Sequence, residues 1–160
     1  MLRRLYELAK TSVFATSDAT YLSVWKSPFG EKLLEAHENG QASVTRVFVF
    51  NDGNELSKET MAIMEKHNNT DHVHVRAYFD SEYPSFEFTA DLARDFTVID
   101  DGEVIGITEG IVSGIGQARW YFKDENKIGS ILMTKAALED GSVPFPEVKK
   151  WWDDETAAKP

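Results

Sequence analysis

Apolar residues recur along this chain with two spacings, one typical of strands and one typical of helices. Three short runs rich in β-branched and aromatic residues predict strands, and the third of them alternates apolar and polar positions. These runs lie at 11–17, 43–50 and 71–80. Apolar residues three and four positions apart predict helices before and between them. These helices lie at 2–10, 18–39 and 57–67, the second of them kinked near Ser27 by Pro28.

The stretch 95–110 predicts a hairpin whose arms, 96–99 and 103–108, are apolar at most positions. The turn between the arms is Asp100-Asp101-Gly102, and Asp and Gly tolerate positive φ at little cost. Beyond the hairpin, three glycines in 110–116 predict a flexible loop. The rest of the chain predicts a strand at 117–122, a helix capped by Asp124 and a short helix at 147–153.

This order of elements predicts the fold class. Strands separated by helices favour right-handed parallel crossovers, and the later hairpin adds antiparallel pairing. We therefore expect an α/β fold with a mixed, mostly parallel sheet of about six strands flanked by helices. A length of 160 residues suits one domain over 1–160, in which 1–10 form an N-terminal helix and 154–160 a frayed tail.

Composition restricts the cellular compartment and the binding partners that we expect. A net charge of −10 argues against direct nucleic-acid binding, because that affinity comes largely from Lys and Arg neutralising phosphates. The absence of Cys excludes disulfides and thiolate metal sites. No apolar run approaches the roughly 20 residues of a membrane-spanning helix, and the N-terminus lacks the apolar core of a secretory signal. These features predict a cytoplasmic protein that does not enter a membrane.

The predicted hairpin resembles one lobe of the phospholipase D superfamily, whose motif is H-x-K-x-x-x-x-D followed by a strand that ends in Gly-Ser. Asp100 falls on the family's Asp. Counting back, Asp95 stands in the place of the Lys and Ala93 in the place of the His. Gly106 lies near the family's Gly, and Ile107 replaces the Ser. The resemblance implies a phospholipase D-like lobe over most of residues 11–140.

The departures from the motif bear on chemistry. In the family the His attacks phosphorus, and Ala93 has no nucleophilic nitrogen. The Lys neutralises charge on the phosphoryl oxygens, whereas Asp95 would repel a phosphate. A single lobe also carries only half a site. The resemblance therefore implies a lobe without catalytic residues, similar in kind to the ligand-binding domains of some archaeal sugar-sensing transcription regulators.

The histidines of the third strand are a separate candidate for chemistry. His72 and His74 are two residues apart and could ligate a metal, but no third ligand is indicated. The interpretation as half-exposed strand residues under a covering helix is favoured over metal ligation. We predict no metal site and no cofactor.

Polar residues at the strand ends around the hairpin form the candidate ligand-binding cleft. They are Ser17, Arg46, Asp80, Arg94, Asp95, Asp100, Arg119 and Tyr121. Asp95 has two interpretations, one as a partner of Arg94, Arg119 or backbone N–H groups, the other as a contact for ligand hydroxyls or a cation. Asp100 is explained by the turn alone.

The resulting hypothesis is a non-catalytic phospholipase D-like ligand-sensing or binding domain, regulatory in role. It predicts a small-molecule effector and a homodimer. One alternative is a phosphodiesterase or other hydrolase with a diverged site built from His72, His74, Asp80 and Asp95. Another is a dimerisation or interaction module that uses the N-terminal helix or Trp151-Trp152.

Overall fold

A computed structural model describes residues 2–82, 94–112 and 115–157 of the chain. Within these ranges seven strands form one sheet. The strands are β1 (Ser12–Asp18), β2 (Ser43–Phe50), β3 (Val73–Phe79), β4 (Phe96–Ile99), β5 (Val104–Val112), β6 (Ile115–Phe122) and β7 (Val143–Pro144). The α-helices are α1 (Leu2–Leu8), α2 (Pro28–Glu38), α3 (Lys58–Asn68), α4 (Glu125–Gly141) and α5 (Phe145–Ala157).

The sheet is mixed, with parallel pairing in its centre. The strand order is β6-β5-β4-β1-β2-β3-β7. β1, β2 and β3 are parallel neighbours, whereas β4, β5 and β6 continue the sheet as an antiparallel meander and β7 adds an antiparallel edge. The predicted α/β class, a mixed sheet flanked by helices, is confirmed, with the short β7 in addition to the predicted strands.

Two apolar layers cover the two faces of the sheet, because side chains alternate along each strand. On one face Ala15 and Phe48 pack beneath α1, α2, α3 and α5, and we call this the helix-rich face. On the other face Phe14 and Val98 pack beneath Ile131 of α4, and we call this the α4 face. Whether a polar side chain of a strand lies on the helix-rich face or on the α4 face therefore depends on its odd or even position along that strand.

The helix expected over 18–39 is divided at Ser27. A 3-10 helix spans Ala19–Lys26, and α2 begins at Pro28 with Ser27 as its N-cap, whose hydroxyl accepts a hydrogen bond from the Gly30 amide at 3.2 Å. Proline lacks the N–H that a helix interior needs, so it is suited to the first turn of a new helix.

The expectation of a flexible loop over 110–116 is wrong for the residues that the structure describes there. β5 continues to Val112, β6 begins at Ile115, and the two pair from Val104 to Val112 with one register shift after Thr108. Cross-strand hydrogen bonds offset the backbone entropy cost of the glycines. At the C-terminus α5 continues to Ala157, so the first four residues of the expected tail, 154–157, are helical.

Gly106 is expected to be sensitive to substitution. It lies opposite Trp120, and a Cβ built at Gly106 would meet the indole ring at 2.5 Å. Gly106→Ala should therefore displace the indole and lower the free energy of unfolding by about 1 kcal/mol, as overpacking does elsewhere. Urea denaturation followed by tryptophan fluorescence measures this. Gly53→Ala, where a Cβ meets nothing within 4 Å, is the matched control and should be neutral.

Candidate functional site

The polar residues of interest gather where the parallel strands end. The carboxyl ends of β1, β2 and β3 lie at one edge of the sheet, which we call the carboxyl edge, and the antiparallel β4 begins there. Thr16 holds the start of β4, because its hydroxyl accepts from the Phe96 amide at 2.8 Å and donates to the Phe96 carbonyl at 3.4 Å. Open α/β sheets usually bind ligands at this edge.

Arg94 links three strands at the carboxyl edge. Its guanidinium forms an ion pair with Asp18 at 3.5 Å, at the end of β1. It also donates a hydrogen bond to the side-chain carbonyl of Asn51, which follows β2. Arg94 therefore places a cation at the edge, next to the start of β4.

Arg46 lies behind this edge, on the helix-rich face, and is only 2% exposed. Its guanidinium donates to the Ser17 hydroxyl at 3.0 Å and to Nε2 of His37 at 3.0 Å. It also lies over the Trp25 ring, 4.4 Å from the centroid, in a cation–π contact. These contacts join β2 to β1, to α2 and to the 3-10 helix.

The two buried histidines are neutral. A guanidinium can only donate, so Nε2 of His37 accepts and the ring proton lies on Nδ1. Burial, reinforced by the charge of Arg46, lowers the pKa of His37 to about 2. Burial and the same charge lower the pKa of His67 to about 2. Neither ring carries a positive charge at neutral pH.

Asp95 is the acidic group with the most altered ionisation in the described chain. Its pKa is raised to about 6, mainly by burial and also by the charge of Asp18, against the opposing effects of Arg46 and of a hydrogen bond from the Thr108 side chain. The Asp95 carbonyl accepts from the Thr108 amide at 2.9 Å, which fixes the start of β4 against β5. A carboxyl group with such a pKa exchanges its proton near neutral pH.

Asp100 lies at the opposite edge of the sheet. Its carboxylate accepts from the amides of Lys10, Thr11 and Ser12 and from the Thr11 hydroxyl, at 2.8–3.2 Å. These hydrogen bonds lower the pKa of Asp100 although burial alone would raise it. Asp100 therefore anchors the start of β1 and is far from Asp95.

The remaining predicted residues divide between the edge and the other face. Asp80 follows β3 at the carboxyl edge, where the next amide, that of Ser81, donates to the Asn51 carbonyl at 2.9 Å. Arg119 and Tyr121 of β6 pair with Ile107 and Ile105 of β5, and these two isoleucines belong to the α4 face. The structure thus brings together Ser17, Arg46, Arg94 and Asp95, with Asp80 at the same edge. Arg119 lies level with the start of β4, on the outer strand β6 and on the α4 face, whereas Asp100 lies at the opposite edge.

The diverged catalytic set of His72, His74, Asp80 and Asp95 does not converge. Both histidines lie at the amino end of β3, and Asp80 lies beyond its carboxyl end. At about 3.3 Å per strand residue, roughly 20 Å separates His74 from Asp80. Ala93, in the place of the family's histidine, lies outside the described residues.

His37 and His67 are the site residues that the sequence analysis missed. Both occur in the last turn of a helix, where a basic residue is common. The inward position of His67 on its helix is the signal that the sequence did contain. The described part of the chain holds no group of three His, Asp or Glu that could bind a metal. No helix in the described ranges combines the length and apolar character needed to cross a membrane.

Comparison with known proteins gives fold neighbours at low identity. No protein-family model matches the chain, and no curated protein matches it. The archaeal chromatin protein TrmBL2, described with a novel mode of DNA binding, aligns with a TM-score of 0.52 and 9% identity over 88% of this chain. NucT from Helicobacter pylori aligns with a TM-score of 0.59 and 11% identity. That alignment covers 89% of this chain and 87% of NucT, whereas this chain spans about half of TrmBL2, 47%.

These neighbours support the fold, and they correct the prediction about partners. Net charge argued against direct nucleic-acid binding, and the family resemblance favoured a small-molecule effector and a homodimer. That prediction about partners is contradicted by the comparison with TrmBL2, a protein of similar fold that is described with a novel mode of DNA binding. The physical reason is that net charge averages over the whole surface, whereas phosphate contacts depend on local cations.

Proposed function

We propose that this chain, taken as one phospholipase D-like domain over 1–160, is a non-catalytic binding domain whose partner is a nucleic acid. The observation that carries the non-catalytic part of the proposal is the charge arrangement at the start of β4. Asp95 occupies the place of the motif's lysine, and the nearby cation Arg46 is buried beneath the helices. A catalytic site of this family would expose a lysine to the phosphate, whereas this chain has an acid in that place and a buried cation.

The non-catalytic part of the proposal is supported by the histidines. Phosphoryl transfer of the family type needs a nucleophilic imidazole at the reacting phosphorus. His37 and His67 are 1% exposed and neutral beneath the helices, and His72 and His74 lie at the other end of β3. None of these four rings is both exposed and at the carboxyl edge. Asp95 would also repel the phosphate that it would have to hold.

The nucleic-acid part is supported by the fold neighbours and by two arginines. Arg94 lies at the carboxyl edge. Arg119 is exposed on β6, and its partner on β5, Ile107, is itself opposite Phe96 at the start of β4. Two strand spacings, about 10 Å, therefore separate the backbone of Arg119 from that of Phe96, which is two residues after Arg94. With so few cations, we expect one or two phosphate contacts and a shallow salt dependence, with a slope near −1 to −2.

Fluorescence anisotropy with labelled single-stranded and duplex DNA and RNA tests this proposal. We expect a Kd on the order of 10 μM at low salt, typical of non-specific binding. Arg94→Ala and Arg119→Ala should each weaken binding several-fold, because each removes one phosphate contact. Lys149→Ala is the control, because Lys149 pairs with Asp153 on α5, which packs against the helix-rich face. The absence of binding to all four probes, or equal affinity in the arginine variants and the wild type, would refute the proposal.

A further inference from the structure

A continuous column of side chains joins the covering helices to the centre of the sheet. Arg46 of β2 bonds to His37 of α2, whose ring stacks on Tyr6 of α1 with centroids 4.2 Å apart. On the other side Arg46 lies on Trp25, and Trp25 meets His67 of α3 edge-on at 4.5 Å. We call these five residues the Arg46 column. It places one fixed positive charge where four covering segments meet the sheet.

The partners that Arg46 touches are all uncharged. They are the Ser17 hydroxyl, a neutral imidazole and an indole ring. In the described ranges no carboxylate forms an ion pair with Arg46, and its Nε atom has no hydrogen-bond partner. A buried cation is costly unless a nearby negative charge compensates it. A negative charge that compensates Arg46 therefore acts on the column only from longer range.

Asp95 is the acid that the strand register places in this position. Ala15 pairs with Arg46 on one side and with Thr97 on the other. Moving two residues towards the carboxyl edge, on the same face, brings Ser17 of β1 beside Asp95. Ser17 accepts a hydrogen bond from Arg46, and the charge of Arg46 acts on the Asp95 carboxylate.

We propose that Asp95 is a proton-responsive group whose charge is transmitted through Arg46 to the helix layer. When Asp95 is ionised, it attracts the guanidinium towards the carboxyl edge. When Asp95 is protonated, Arg46 interacts only with the uncharged members of its column. The other groups that face Asp95 are Asp18 of β1, which opposes its ionisation, and Thr108 of β5, which favours it; Arg94 precedes it and pairs with Asp18.

The direction of the pH effect follows from the balance at Asp95. Burial outweighs the attraction of Arg46, so the pKa rises from 3.8 to about 6 in the folded protein. A raised pKa means that the folded state holds this proton more tightly than the unfolded state does. The stabilisation is complete below about pH 4 and is lost as pH rises through about 6. The folding equilibrium constant should fall about tenfold from this group between about pH 5 and pH 8.

The pH dependence of tryptophan fluorescence and of stability tests the proposal. We expect a fluorescence transition with a midpoint near pH 6 that is absent in Asp95→Asn and in Trp25→Phe. At about pH 8, Asp95→Asn should fold with an equilibrium constant about 100-fold above that of the wild type, since each pKa unit is a factor of ten. Asp71→Asn, at an exposed position, is the control and should keep the wild-type transition.

Variants of Arg46 show whether the column transmits the charge. Arg46→Met removes the cation that lowers the pKa of Asp95, so the midpoint should move to higher pH. Arg46→Lys keeps the charge and should leave the midpoint of the fluorescence transition nearly unchanged. This variant still tests the role of the charge if the methionine variant does not fold. The proposal fails if no transition occurs between about pH 5 and pH 8, if the transition survives in Asp95→Asn, or if the lysine variant shifts the midpoint strongly.

Discussion

Replacing Arg46 by methionine is expected to lower the free energy of unfolding by about 3–5 kcal/mol at neutral pH, because two buried hydrogen-bonding groups lose their donor at about 1–3 kcal/mol each and a cation–π contact is lost. The substitution leaves the buried Ser17 hydroxyl and His37 imidazole without their donor, and each such loss is costly. It also removes the contact with Trp25 and leaves the Asp95 carboxylate without the cation that opposes its desolvation.

Urea denaturation at neutral pH measures this effect, and Arg76→Met is the matched control. Arg76 is partly buried, and its guanidinium donates to Ser142 and Glu139 at the periphery of the sheet. Its loss should cost about 1–2 kcal/mol, typical of hydrogen bonds from a charged group. Equal losses in the two variants would mean that Arg46 has no special place in the fold.

The second large effect is expected at Asp100. Asp100→Ala should lower the free energy of unfolding by about 3 kcal/mol, because hydrogen bonds to a charged group contribute roughly 1.5–3 kcal/mol each and are not additive. The substitution releases three backbone amides at the start of β1, those of Lys10, Thr11 and Ser12. β1 is a central strand that pairs with both β2 and β4, so a loosened start would weaken both pairings.

Asp101→Ala is a close control for this variant. Asp100 and Asp101 both have positive φ, 49° and 56°, so alanine carries a similar backbone penalty at each position. The difference between the two variants therefore isolates the hydrogen bonds. Because the pKa of Asp100 is lowered in the folded state, its stabilisation is complete above about pH 4 and is lost as pH falls through the folded pKa. A difference between the variants that persists unchanged in strong acid would contradict this explanation.

The parts of the fold that were predictable are those with local signals. The strand at Ser43–Phe50 was placed at its observed bounds, because a β-branched and aromatic run is followed directly by Asn51-Asp52-Gly53. The turn at Asp100-Asp101-Gly102 was also expected, and Asp100 does lie in it. These features depend on neighbours within a few residues, which a single sequence displays.

The candidate site was less predictable, because its contacts join distant parts of the chain. His37 of α2 contacts Arg46 of β2, and His67 of α3 contacts the Trp25 ring on which Arg46 lies. No periodicity shows that convergence. The position of Arg119 depends on the β5–β6 register, which passes through a glycine-rich segment expected to be a loop. The charge argument about partners failed for a related reason, because composition carries no information about which cations lie together.

The most direct test of a non-catalytic nucleic-acid-binding domain follows binding and cleavage on the same labelled oligonucleotide. We predict that the wild-type protein raises the anisotropy of the probe and that the probe is recovered at full length after prolonged incubation. Arg94→Ala should weaken the binding, and no variant should introduce cleavage. Cleavage by the wild-type protein that is abolished by Asp95→Ala would contradict the central claim, because it would make Asp95 a catalytic residue.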